Sequence, residues 1–546
     1  MKTWPLRRDE VRERHLRETG AWGEQTIADY ARQLARDDPG RILLIDDARR
    51  LSAAGLVAAA ENLALSLLGR GLHPGSVVSY MLPNWYETCV ISLAAAMAGL
   101  VLNPLLPIYR ERETKFMLAD SESRLLFIPS SFRNFDYRGF IAALRPELPQ
   151  LRDVIVVRGD GASDGRDRYE SLVKEAGPGT LPTVTADAVK MLIYTSGTTG
   201  RPKGVLHSHN TILADVRSLA KFWSVRAGDC FLVPSPVTHI GGSLYAHEIV
   251  WYSGMPVVLM DTWVGKEAVR LIREFGCTIS AGATPFLKDL VGEAQRSGDT
   301  LPSLRLYICG GAAVPAALIQ LARATFVNCS PCRIYGSTEV PTVTAGMLPT
   351  DDESVGAETD GAVAGTEVLI VDPETGAVLP AGAEGELVVR GPEMFLGYSD
   401  PADNSDAFTA DGYFKTGDLG RWVDVKHLQI TGRKKDLIIR AGENISAKEL
   451  EDLLGGHPAI AEVSVVSVPS ERTGEAVCAC VVQSSSAAID LAGISRYMID
   501  RGVARQKIPE ALLLLDELPR TATGKVRKDE LRRIARTNAV WADKGR

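Results

Sequence analysis

The segment from Lys190 to His209, K-M-L-I-Y-T-S-G-T-T-G-R-P-K-G-V-L-H-S-H, constrains this chain more than any other. A strand-like apolar run, Met191 to Tyr194, empties into Thr195 to Arg201, which are almost wholly hydroxyls and glycines. Pro202, Lys203 and Gly204 follow, and the chain resumes with Val205 and Leu206. Glycines let the backbone turn its N–H groups toward an anion, hydroxyls add short donors, and a lysine supplies a point charge. Such a loop grips a polyphosphate. It differs from the G-x-x-x-x-G-K-S/T loop of ordinary NTPases, which is absent here, and no helix is expected directly after Lys203.

The text around the loop alternates strand and helix. Ile42 to Ile45 reads as a strand, Ser52 as the cap of a helix running to about Leu68, and Ser76 to Met81 as the next strand. Asn84 is expected to open a helix, and strands follow at 124–128, 153–157 and 190–194. Asn210 is expected to cap a helix of about a dozen residues. Further strands are expected at 256–260 and 304–309, with a helix over 266–275 between them. This order implies an α/β domain with largely parallel sheets. After about Asp351 the texture changes to short strands at 366–371, 377–379 and 385–390 separated by Pro/Gly turns, a β-rich subdomain. From Gly432 a helix at 446–454, strands at 461–468 and 476–482 and a helix near 490–502 make a small α+β unit of roughly 110 residues.

Gross composition excludes several classes. The 546 residues suggest about three or four folding units. A net charge of −7 and a pI near 5.8 argue against a nucleic-acid binder with a broad basic surface, so an anionic ligand must be held by local donors. The amino terminus has no apolar signal region, and Val90 to Leu106, interrupted by Asn103 and Pro104, reads as a buried helix and strand, not a span. Eight scattered cysteines suit a reducing, cytoplasmic compartment. The lone Cys329-x-x-Cys332 and the eight histidines show no metal-ligand spacing.

Six further strings follow the loop in order. They are Pro234-Ser-Pro-Val-Thr-His239-Ile-Gly241-Gly242, Gly310-Gly311-Ala312 after a strand, and Tyr335-Gly336-Ser337-Thr338-Glu339. Phe414-Lys-Thr-Gly-Asp418 with Gly432-Arg433-Lys-Lys435-Asp comes next, and Pro519-Arg-Thr-Ala-Thr-Gly-Lys525 lies near the carboxyl end. Together with the loop, they resemble the motifs of the adenylate-forming enzymes: acyl- and aryl-CoA synthetases, peptide-synthetase adenylation domains and firefly luciferase. The resemblance covers nearly the whole chain, and around His239 it looks closest to cyclohexanecarboxylate-CoA ligase-like members.

The resemblance implies a role for each string. Thr195, Ser196, Gly197, Thr198, Thr199, Gly200 and Lys203 would hold the ATP phosphates. Gly310, Gly311 and Ala312 would pack against adenine and the acyl group, and Tyr335, Gly336 and Ser337 would hold adenine. Thr338 would touch phosphate and Glu339 would help hold Mg²⁺, a hard cation that asks for oxygen ligands. Asp418 would accept from the ribose hydroxyls and Arg433 would reach ribose or phosphate. His239, Gly241 and Gly310 would line the acid pocket. Lys525 would be the catalytic cation, relieving the approach of a carboxylate to the α-phosphate. Lys435 would be the hinge between an adenylation domain, 1–434, and a mobile cap, 435–546. Ala441, Gly442 and Glu443 would line the thiol channel, where many relatives have Gly-Gly in place of Ala441-Gly442.

The expected reaction is carboxylate plus ATP giving acyl-AMP and pyrophosphate, followed by transfer to CoA. The chain ends soon after Lys525, so no fused carrier domain is expected and CoA is the default acceptor. A separate carrier protein or an amine is the alternative; an inactive scaffold and luciferase-like oxidation are more distant ones. No acidic residue occurs between Pro234 and Tyr245, which disfavours an α-amino acid substrate. Which carboxylic acid is used, and the oligomeric state, are not legible.

Overall fold

Runs such as Leu43–Ile45, Val77–Tyr80 and Leu125–Ile128 are buried on both faces, the pattern of strands inside helix-covered parallel sheets. The computed structural model describes residues 4–47, 49–159, 168–175, 177–195, 201–311, 314–348, 350–441, 443–484, 489–520 and 525–541. Contacts divide the chain into two units, Met1–Glu367 with Val389–Phe414, and Val368–Val388 with Lys415–Arg546.

The first unit carries two α/β sheets. Seven strands lie in the order Ser330–Arg333, Leu306–Cys309, Ile279–Gly282, Phe231–Val233, Val257–Leu259, Ile42–Asp46 and Arg49–Ser52. All neighbours are parallel except the last pair, a hairpin. The six-stranded sheet runs Lys203–Ser208, Val189–Thr195, Val101–Pro104, Val77–Tyr80, Leu125–Pro129 and Asp153–Val157. It too is parallel except at one edge, where Val189–Thr195 and Lys203–Ser208 pair antiparallel with Thr195 opposite Lys203. The phosphate-loop sequence therefore joins two hairpin strands, which is why no helix follows Lys203. The apolar Val90–Leu106 run is the helix Tyr86–Ala98, stopped by Gly99 in the left-handed region (φ 67°), and the strand Val101–Pro104.

Local capping departs from expectation at two places. Ser208, not Asn210, caps the helix His209–Phe222: its hydroxyl accepts from the Thr211 N–H and the Thr211 side chain reciprocates. Asn210 instead accepts from the Gly23 N–H and donates to Asp187, tying down the amino-terminal segment. The helix expected to open at Asn84 begins at Tyr86, and Asn84 is used elsewhere.

In the second unit lies most of a four-stranded sheet, Glu367–Val371, Gly385–Arg390, Phe414–Trp422 and Leu428–Arg433. The strand expected at 377–379 is a single bridge, Val371 to Val378. A second sheet, centred on Ile460–Ser470, Gly474–Gln483 and Ala511–Leu515, packs the helices Ala447–Leu454, Leu491–Ile499 and Lys528–Asn538. All eight cysteines are free and buried. Among the described residues no helix is long and apolar enough to cross a membrane, and no cluster of metal-ligand side chains occurs.

Candidate active site

Three segments of the first unit are locked together beside the hairpin. Residues 395–399 run along the strand Lys203–Ser208: Leu396 N–H donates to the Leu206 carbonyl, and Ser399 N–H to Gly204. The approach is so close that a Cβ on Gly204 would stand 2.4 Å from Ser399 Oγ. Phe395 N–H donates to the Glu339 carbonyl, and Tyr398 donates its hydroxyl to Glu339 Oε1 at 2.8 Å. Burial and the Glu339 charge push the Tyr398 phenol up, so it stays a donor.

Thr338 and Glu339 are fixed from the other side by His207. This fully buried imidazole places Nε2 2.7 Å from the Thr338 carbonyl and Nδ1 3.0 Å from Thr211 Oγ1. A carbonyl accepts only, so Nε2 carries the proton. Burial lowers the His207 pKa to about 4, keeping the ring neutral. The rest of the string is pinned by Tyr335 N–H to Thr344 Oγ1 and Ser337 N–H to Val340 O. Gly336 is obligatory, because a Cβ there would meet the Pro341 carbonyl at 2.0 Å.

The loop cations face carboxylates. Arg201 reaches Asp400 at 2.9 Å and Asp403 at 3.0 Å, while Lys203 Nζ lies 3.2 Å from Asp403 and 4.9 Å from the Tyr398 ring centre. Ser196 to Gly200 and Ala312 lie outside the described residues. Gly310 follows the strand Leu306–Cys309 and packs against Ile334, whose carbonyl would be 2.9 Å from a Cβ at that position; Gly311 has φ 80°.

The His239 string is built on Asn84. Its amide donates to the Val233 and Ser235 carbonyls and its Oδ1 accepts from Val237 N–H, and Tyr80 donates to the Val237 carbonyl. His239 then takes the N-cap position of a short helix, Ile240–Ser243, which continues through a π-turn, Leu244–Glu248. His239 and Gly241 are half-buried, whereas Gly242 to Val250 are all buried, so the helix opens at those two positions. π-turns often mark functional sites.

In the second unit Asp418 and Arg433 are cross-strand partners, Nε to Oδ1 at 2.8 Å. Asp418 is buried and its own N–H donates to Thr416 Oγ1. Lys435 lies in a single helical turn, Lys434–Asp436, beside Arg532, which donates to Asp436. Ile438–Arg440 and Glu443–Ile445 form a hairpin whose turn begins at Ala441 with φ 53°, a conformation that suits glycine. Gly442 and Thr521 to Gly524 lie outside the described residues; Lys525 is exposed.

Tyr398, His207 and Asp403 carry no mark of these contacts in the sequence, and Asn84 reads there only as the opening of a helix, because each works through a partner remote in sequence. His207 alone left a trace: a histidine directly after the apolar pair Val205-Leu206 and directly before the capping box.

A carboxylate and a threonine held rigidly beside a phosphate-loop hairpin suit nucleotide chemistry, and the comparisons agree. A family model described as AMP-binding enzyme matches residues 31–399, and one described as AMP-binding enzyme C-terminal domain matches 449–525. A medium-chain fatty-acid–CoA ligase of Escherichia coli (strain K12) is 34% identical over 536 residues, 96% of this chain and 94% of that protein. An indoleacetate–CoA ligase of Aromatoleum aromaticum is 33% identical over 499 residues, 91% of this chain and 96% of that protein. ATP-bound MatB from Rhodopseudomonas palustris superposes with TM-score 0.84 at 28% identity, covering 94% of this chain and 99% of that one. This chain belongs to the AMP-binding enzyme family, as an ATP-dependent ligase of its acyl-CoA ligase type.

Proposed function

We propose that this chain is an AMP-forming carboxylate–CoA ligase acting on an alicyclic, medium-chain or aryl acid. The near full-length match to two carboxylate–CoA ligases, one named for medium-chain fatty acids and one for indoleacetate, carries this reading. In the first half-reaction the carboxylate attacks the α-phosphate of ATP and pyrophosphate leaves. Lys203, Thr195 and the loop between them hold the phosphates, with Asp400 and Asp403 paired to the cations Arg201 and Lys203. Tyr335 stacks on adenine, and Asp418 and Arg433 hold the ribose. Lys525 neutralises charge shared between carboxylate and phosphoryl oxygens, the kind of preorganised charge that dominates such catalysis. Thr338 touches the phosphate. In the second half-reaction the thiol of CoA attacks the acyl-adenylate, AMP leaves, and Ala441, Gly442 and Glu443 line the thiol's path. Lys435, between residues 1–434 and 435–546, is the hinge that separates the two steps.

Glu339 fits a magnesium ion: it is buried, Oε1 is oriented by Tyr398, and Oε2 takes no hydrogen bond among the described residues. A hard divalent cation held there supplies charge neutralisation for the triphosphate.

The test is release of AMP and pyrophosphate with and without CoA, across linear, alicyclic and aromatic acids, with Lys525→Ala as control. CoA-dependent release with thioester formation is expected. Acid-dependent pyrophosphate exchange without any thioester would overturn CoA as acceptor and point to a carrier protein or an amine.

A further inference from the structure

Residues 7–23 form a strap across the segment that carries Tyr398. The helix Glu10–Glu18 is capped by Asp9, which accepts from the Arg12 N–H at 3.0 Å, and the chain turns at Gly20 (φ 75°) so that Trp22 N–H donates back to the Leu16 carbonyl. The far end of the strap is tied to the helix His209–Phe222. Gly23 N–H donates to Asn210 Oδ1 at 2.9 Å, and Arg217 donates to the Ala21 carbonyl at 2.5 Å. Leu16 and Trp22 are buried in the same apolar cluster as Leu206 and Leu396.

The strap meets segment 392–399 at two backbone carbonyls. Trp22 Nε1 donates to the Pro392 carbonyl at 2.8 Å, and Arg7 N–H donates to the Leu396 carbonyl at 2.8 Å. The two clamps bracket Phe395, whose own N–H donates to the Glu339 carbonyl. The Arg7 guanidinium also lies over the Phe408 ring at 4.5 Å, Phe408 stacks on Phe395 at 5.4 Å, and Phe395 meets Tyr398 edge-on at 4.9 Å. Tyr398 in turn donates to Glu339 Oε1. Among the described residues this segment meets the edge strand Lys203–Ser208 at one isolated bridge, Val205 to Tyr398, with further bonds to the Leu206 and Gly204 carbonyls. A stretch with so few sheet bonds opens locally unless its neighbours tie it down.

We propose that Trp22 is a positioning residue for Glu339: its indole N–H, with the strap it closes, holds segment 392–399 so that Tyr398 keeps the carboxylate aimed. This rests on the ligase reading above, in which Glu339 is the residue that fits magnesium. Trp22 itself touches neither nucleotide nor metal in this reading and acts only through Pro392, Phe395 and Tyr398.

The test uses the full chain and reads the metal-free protein as well as turnover. Trp22→Phe keeps a ring in the core and deletes the donor to Pro392. Without metal or nucleotide, amide hydrogen exchange over 393–399 is expected to be about fivefold faster than in wild type, with the strand Leu306–Cys309 of the other sheet unchanged. The magnesium concentration for half-maximal pyrophosphate exchange should rise about fivefold, while KM for the acid stays at its wild-type value. In a Tyr398→Phe background, Trp22→Phe should add nothing to the magnesium shift, because the phenol it steadies is gone. Leu16→Ala thins the same core but keeps the donor, so it should lower Tm and leave the magnesium requirement unchanged. Unchanged protection over 393–399 in Trp22→Phe, a loss of protection spread over both sheets, or additive magnesium shifts would overturn the positioning role while the ligase reading stands. A matching magnesium shift in Leu16→Ala would overturn it too, by reducing Trp22 to general packing. A wild type without magnesium-dependent pyrophosphate exchange would end the ligase reading and this assignment together.

Discussion

His207 offers the sharpest test of how the site is held. Replacing it with glutamine keeps an amide N–H for the Thr338 carbonyl but misplaces it, since the imidazole fits both Thr338 and Thr211. One buried hydrogen bond impaired costs about 1–3 kcal/mol, so at pH 7.5 His207→Gln should be less stable than wild type by that amount. The pH dependence is more telling. Burial holds the folded pKa at about 4, against about 6.5 unfolded. The depressed pKa means the neutral ring's contribution is present in full above pH 6.5 and is lost as pH falls toward 4, because the unfolded chain takes up a proton the folded one refuses. At about 1.4 kcal/mol per pH unit the full loss is about 3 kcal/mol, and glutamine does not share it. The fully buried His209 and His247, each held at about 3, titrate alike in both proteins and cancel. Urea unfolding at pH 7.5, 6.5, 5.5 and 5.0 should show the gap between the two proteins closing steadily below pH 6.5. A gap that stays constant would refute the neutral, buried imidazole and with it the assigned proton on Nε2. His207→Ala, which removes the donor altogether, should lose about 100-fold in pyrophosphate exchange, worth about 2.7 kcal/mol.

Other expectations are simpler. Tyr398→Phe deletes the donor to a buried carboxylate and should cost about 1.5–3 kcal/mol in chemical denaturation, with a raised magnesium requirement in pyrophosphate exchange. Gly336→Ala forces a methyl to within 2.0 Å of the Pro341 carbonyl and should abolish exchange or prevent folding, as read by activity and circular dichroism. Ala441→Gly relieves a left-handed alanine and should raise stability by about 0.5–1 kcal/mol in urea denaturation; no gain would mean the turn is not strained.

What the sequence revealed, and what it hid, follows from where the physical constraint acts. The strand Asp153–Val157 and the helix Ala53–Gly69 with its Ser52 cap were legible because apolar runs and caps are local signals. The loop and Tyr335–Glu339, proposed to hold the nucleotide, stand out in the sequence as dense strings of glycines and hydroxyls. The antiparallel edge at Val189–Thr195 was not, since strand direction depends on the partner and seven intervening residues serve a hairpin or a crossover start equally well. Asn84 and Asn210 were read as helix caps for the right local reason, yet tertiary demand overrode it. The Val233–Val237 backbone needs a donor and an acceptor that only a remote amide supplies, and Asn84 meets both. Ser208, two residues before Asn210, offered a reciprocal capping partner in Thr211, which freed Asn210 for Gly23 and Asp187. The same logic explains Tyr398. Its string, Phe-Leu-Gly-Tyr-Ser, carries no chemical signature until the backbone of 395–399 pairs beside Lys203–Ser208 and turns the phenol onto Glu339. The groups proposed to touch the nucleotide are thus written compactly in this chain, whereas the groups packed behind them are set by sheet edges and remote amides, and emerge only when the chain is folded.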